Sequence, residues 1–200
     1  GVSSAASDVY KRQALVNAML SPGCYDAVAC HSGDVGFEMM FQPTFGETLT
    51  HVAAHGTAAD YVKHVQHAAK LSGPDFHTLM ICAMAASYDA RDPTSDNPLG
   101  IELPVEPRTG KMIERAWNNW LANDPLEMIE THSDGLQSLA ALWIDCGDRD
   151  QYNIQYGSRA FIDKLSQMGI DHSWEEFSGT HSGIDHRLDL SLPFLANALQ

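Results

Sequence analysis

Residues 139–187 constrain the fold more than any other stretch, because they read as strand, acidic loop, helix, strand and histidine loop in succession. The apolar run Leu139-Ala-Ala-Leu-Trp-Ile144 leads directly into Asp145-Cys-Gly-Asp-Arg-Asp150. Phe161, Leu165 and Met168 then recur at helical spacing, and Gly169 ends that segment. Ser173-Trp-Glu-Glu-Phe177 follows, and after it Gly179-Thr-His-Ser-Gly-Ile-Asp-His-Arg187. Strands alternating with helices imply an α/β fold, with a mostly parallel sheet covered by helices on both faces. In such a sheet one loop tip carrying a carboxylate and one carrying an imidazole meet at a shared rim. That is two thirds of a Ser-His-Asp relay, in the chain order Ser…Asp…His.

Asp150 is the candidate acid. A relay needs a carboxylate that holds the imidazole in one tautomer and stabilises the imidazolium. Gly147 allows a tight turn off the strand, and Asp150 is the third residue beyond it. Asp145 and Asp148 compete for the role. His181 is the candidate base, because Gly179, Ser182 and Gly183 are small enough to let its ring stand clear of the backbone. His132, His172 and His186 are the alternatives nearby. His172 begins a strand and His186 begins a helix, so neither holds the tip between strand and loop.

The third member is missing. A Gly-x-Ser-x-Gly elbow places serine on a strained turn between strand and helix, and no such pentapeptide occurs in the 200 residues. Thr131-His-Ser-Asp-Gly135 lacks the first glycine and precedes a strand. His31-Ser32-Gly33 follows an apolar run, Tyr25 to Cys30, but lacks the elbow pattern. The helix begun by Ala14, Leu15, Ala18 and Met19, and ended at Ser21-Pro22-Gly23, is where an elbow should lead. The tract before it, residues 1–13, is small, polar and unpatterned, and resembles translated adaptor sequence at the ends of environmental gene fragments. It is set apart from residues 14–200 in the reading of the fold.

The middle of the chain is helical, with Tyr61, Val65 and Ala68 on one face and an apolar run from Asp75 to Ala86. Residues 88–107 hold four prolines and read as a loop excursion, after which Ile113, Trp117, Trp120 and Leu121 mark a helix and Asp124-Pro125 starts another. With 44% hydrophobic residues, the length suffices for one sizeable core. A net charge of −14 argues against nucleic acid and anionic membrane as partners, since both need basic patches. No apolar run reaches the ~18 residues of a membrane helix. Cys24, Cys30, Cys82 and Cys146 show no paired spacing, which leans towards a reducing, cytoplasmic compartment without fixing it. His51/His55 and His64/His67 have spacings that suit a metal on one helix face, but neither pair carries the glutamate of HExxH, and no third ligand is evident. No cofactor is expected.

Several of these stretches carry a family resemblance. Pro22 to Asp34, Met84-Ala-Ala-Ser-Tyr88, Leu99-Gly-Ile-Glu-Leu-Pro104, Trp117-Asn-Asn-Trp-Leu121, Asp145 to Asn153 and Gly179 to Arg187 resemble the C-terminal two thirds of a putative-esterase domain. That is the α/β-hydrolase group of esterase D-like and enterochelin-esterase-like enzymes. The resemblance implies an incomplete α/β-hydrolase fold in which Asp150 is the triad acid and His181 the base. It also implies a nucleophile elbow just before Ala14, where this sequence departs from the pattern, and oxyanion donors upstream of residue 1. The chain is then expected to be an inactive fragment of a serine carboxylesterase acting on a small-molecule ester. Its sheet would keep about three strands and an unpaired edge. Three alternatives stand beside this: a non-catalytic, hydrolase-like binding module, a metal-dependent hydrolase using the central histidines, and a parent acting on peptides or thioesters rather than carboxylic esters.

Overall fold

A computed structural model describes residues 11–200. The readings made for residues 1–10 lie outside the described residues. Three strands, β1 (Ala27–His31), β2 (Ala141–Gly147) and β3 (Ser173–Phe177), form a parallel sheet in that order. Ala27 pairs with Ala141, and Trp143 with Ser173. Among the described residues β1 and β3 each pair on one side only.

The period-two alternation of the strands sorts their side chains between two helical layers. Val28, Cys30, Leu142 and Ile144 point into one core, with residues of α1 (Arg12–Leu20) and further helices defined below. The opposite face carries His31, Trp143 and Asp145. It meets the last helix, Leu188–Ala198, through the Trp143 and Phe194 rings 5.3 Å apart. Helix α1 begins with Arg12, two residues before the start expected from the sequence, and Lys11 is its cap residue. Part of the tract set apart as foreign is thus built into the fold.

Length and composition suggested one core, but the chain divides into two compact units. Unit 1 comprises the described residues up to Met40 together with Asp124–Gln200, and unit 2 is Phe41–Asn123. A short helix, α2 (Phe37–Phe41), runs from the end of unit 1's first segment to the first residue of unit 2. Unit 2 then contains α3 (Phe45–His55), α4 (Ala58–His67), α5 (Gly73–Tyr88) and α6 (Glu114–Leu121). It builds its own aromatic centre, because Trp120 is fully buried with Phe41, Phe45 and Tyr88 packed edge-on at 5.2 to 5.9 Å. Local rules start two of its helices, α4 and α5. Thr57 with Asp60, and Ser72 with Asp75, form reciprocal capping boxes that satisfy otherwise orphaned N–H groups.

Unit 1 resumes with α7 (Pro125–Gln137), then β2, α8 (Ile154–Gln167), β3, a 3₁₀ turn (Asp185–Arg187) and α9 (Leu188–Ala198). Ile129, Leu136, Phe161 and Leu165 bring α7 and α8 into the core beside α1. The end of α8 is a Schellman cap, with Gly169 N–H donating to Ser166 O at 3.2 Å and Ile170 N–H to Leu165 O at 2.9 Å. Asp124 is 1% exposed and accepts from three backbone N–H groups, Gly36 at 2.9 Å, Phe37 at 2.6 Å and Leu126 at 3.0 Å. One carboxylate thereby caps α7 and holds the entry to α2. Burial lifts its pKa above the usual range, and the three donors pull against that shift. No helix among the described residues is long and apolar enough to cross a membrane.

Candidate functional site

At the carboxyl end of the sheet, the loops after β2 and β3 are laced together by their backbones. Asp148 N–H donates to Phe177 O at 2.8 Å, and Arg149 N–H to Gly179 O at 2.9 Å. In return the Asp148 carboxylate accepts from Gly179 N–H at 2.9 Å, and Gln151 Oε1 from His181 N–H at 3.1 Å. The Gly179 donor holds the Asp148 carboxyl below its ordinary range. Gly147 makes the approach possible, since a Cβ there would lie 2.7 Å from Gly179 O.

This lacing brings Asp150 and His181 together. Asp150 Oδ2 and His181 Nδ1 are 2.9 Å apart, with side-chain exposures of 0% and 16%. Tyr152 N–H donates to the other Asp150 oxygen at 2.9 Å, and the Tyr152 ring meets the imidazole edge-on at 4.9 Å. With the carboxylate accepting, Nδ1 donates and Nε2 presents its lone pair outward. Burial, reinforced by the Asp150 carboxylate, pushes the neighbouring Cys146 thiol up to about 12, which keeps it protonated and unreactive.

The partner at Nε2 is Lys11, whose Nζ lies 2.6 Å away. Sequence reasoning missed this contact because Lys11 belongs to the tract it had set aside. Among the described residues no serine hydroxyl hydrogen-bonds to His181.

The competing residues go elsewhere. Asp145 lies on the opposite face of β2 from Ile144, where it accepts from Trp143 at 2.8 Å and Arg187 at 3.0 Å, and pairs with His31 Nδ1 at 2.9 Å. His31 Nε2 in turn meets Ser191 Oγ at 2.9 Å. The sequence Ser191–His31–Asp145 repeats the bonding order of a relay, but each residue is at most 1% exposed, so no substrate reaches it. It is a core network that pins α9 to β1 and β2. His132, His172 and His186 each spend Nδ1 on a backbone carbonyl, of Met128, Ile170 and Gly183 respectively.

In unit 2, His51 bonds Thr78, His67 bonds the Lys63 carbonyl, and His55 stacks on His64 at 4.2 Å. Among the described residues no group of three or more His, Cys, Asp or Glu side chains gathers as metal ligands would.

No protein-family model and no curated protein matches the chain. The crystal structure of esterase E22 is similar to it with a TM-score of 0.47 and 14% identity, over 94% of this chain. The chain spans 58% of the length of that structure.

Proposed function

We propose that Asp150 and His181 are the acid and base of a carboxylic-ester hydrolase of the α/β-hydrolase type, and that the nucleophilic serine is not among these 200 residues. What supports the reading is the 2.9 Å bond from a fully buried carboxylate to Nδ1 of a partly exposed imidazole at the carboxyl end of a parallel sheet. In this reading His181 Nε2 takes the proton of the serine hydroxyl as its oxygen attacks the ester carbonyl, then gives it to the departing alkoxide. Asp150 keeps the ring oriented and steadies the imidazolium. Water next attacks the acyl-serine by the same proton route.

On this reading the 200 residues, which hold no Gly-x-Ser-x-Gly elbow, are inactive by themselves, and Lys11 Nζ stands 2.6 Å from the base nitrogen that a hydroxyl should meet. That same contact favours a second reading, a hydrolase-like module that binds without turnover. The protein encoded by the source DNA read further upstream separates the two. On a short-chain aryl ester it should turn over, and Asp150→Asn should lower kcat by about 10⁴-fold. His181→Ala should lower it by about 10⁶-fold. Turnover indifferent to His181 would overturn the first reading, and a longer protein with no turnover and no elbow serine would establish the second.

A further inference from the structure

Unit 2 holds a cavity of about 520 Å³, inside the range of small-ligand sites. One wall is the face of α3 bearing Leu49, Val52 and Ala53, and the facing wall is the irregular segment 91–113, which supplies Ile101, Leu103 and Val105. The body of the cavity is therefore hydrocarbon. Irregular segments collapse onto apolar surface unless something holds them off, and here the frame is identifiable.

Asp89 is 4% exposed and accepts from Arg91 at 2.8 and 3.0 Å, from Arg115 at 3.0 and 3.1 Å, and from Asn119 at 2.5 Å. Glu102 takes both arginines as well. Asn97 closes the turn onto Thr94 and Ile101, and Gly100 lies so near Arg91 O that a Cβ would come within 2.1 Å of it. The segment is braced along its own length and against α6, so the cavity is preformed.

Charge decides what it suits. Arg91, Asp92, Asp96 and Glu102 all line it, one positive against three negative. Arg91 and Glu102 are committed to each other and to the Asp89 frame. Asp92 and Asp96 are exposed at the lining and carry no such arginine partner in that frame, in a chain of net charge −14. A carboxylate ligand would be repelled and a neutral one indifferent to the charge.

We propose that this cavity binds a small amphipathic amine, with its hydrocarbon body between α3 and segment 91–113 and its ammonium group at Asp92 and Asp96. The inference concerns unit 2 alone and does not rest on the hydrolase reading. Calorimetric titration of the full chain at pH 7 and low ionic strength tests it, with n-hexylamine, 1-hexanol and hexanoate as probes of equal chain length. One site per chain is expected, with the amine bound tightest and hexanoate weakest.

Asp92→Asn and Asp96→Asn should each cut the preference for amine over alcohol by about 2- to 5-fold, as for an exposed ion pair. Ala53→Trp should abolish binding of both amine and alcohol by filling the space, and Leu49→Phe should weaken it, with thermal unfolding showing that each variant is folded. Absence of binding, equal affinity for hexylamine and hexanol, or amine binding that survives Ala53→Trp would each overturn the proposal. The last outcome would mark diffuse adsorption to the acidic surface.

Discussion

Replacing Gly147 by alanine is the sharpest perturbation of the paired loops. The new Cβ would stand 2.7 Å from Gly179 O, 2.8 Å from Gly179 C and 3.0 Å from Thr180 O, all of them backbone atoms. Ordinary contact begins at 3.4 Å, so the loop after β3 must retreat by about 0.7 Å. His181 is two residues further along that loop. Carried by the same displacement, its Nδ1 moves from 2.9 Å to about 3.6 Å from Asp150 Oδ2, where a hydrogen bond no longer forms. Overpacking of this kind costs about 1–3 kcal/mol. Two assays read the two consequences. Urea unfolding should show that loss of stability, and the low-field proton resonance of an imidazole Nδ1–H bonded to a carboxylate should disappear. A Gly147→Ala protein of unchanged stability that keeps the resonance would refute the claim that backbone contact between the loops sets the carboxylate–imidazole distance.

Asp124→Ala removes the acceptor of three backbone donors, two of them buried, and at about 1–3 kcal/mol for each buried one should destabilise unit 1 by about 2–6 kcal/mol. A loss under about 1 kcal/mol in urea unfolding would count against it. Asp148 supplies a pH prediction: its folded pKa lies below the unfolded value, so its tie to Gly179 is fully present above about pH 4 and is lost as pH falls through the depressed value. Hydrogen exchange at the Gly179 amide should accelerate below about pH 4 relative to its neighbours, and Asp148→Asn should remove that extra acceleration.

The two strands framing the site, and the helix between them, are legible because each is specified locally. Leu142 and Ile144 alternate with Trp143 and Asp145, while Phe161 and Leu165 keep a helical period. The choice between Asp145 and Asp150 is tertiary: Asp145 faces α9 and bonds His31 and Arg187, while Asp150 lies beyond the strand and meets His181. Unit 2 is less legible in the sequence. Tyr61 and Val65, and Trp117 and Trp120, keep a helical period, but nothing in a linear pattern says that Phe41, Phe45 and Trp120 gather into a centre separate from the one around Phe161.

What the sequence by itself determined is a βαβ unit whose two strands end in a carboxylate loop and a histidine loop, because strand period, helix period and glycine turns are short-range properties of the chain. Tertiary structure alone decided which groups fill the remaining valences. Lys11 stands at Nε2 of His181 across 170 residues, and Ser191 stands at His31 across 160. Such contacts depend on how layers stack and how closely Gly147 lets two backbones approach, and no local pattern of residues encodes a distance between layers.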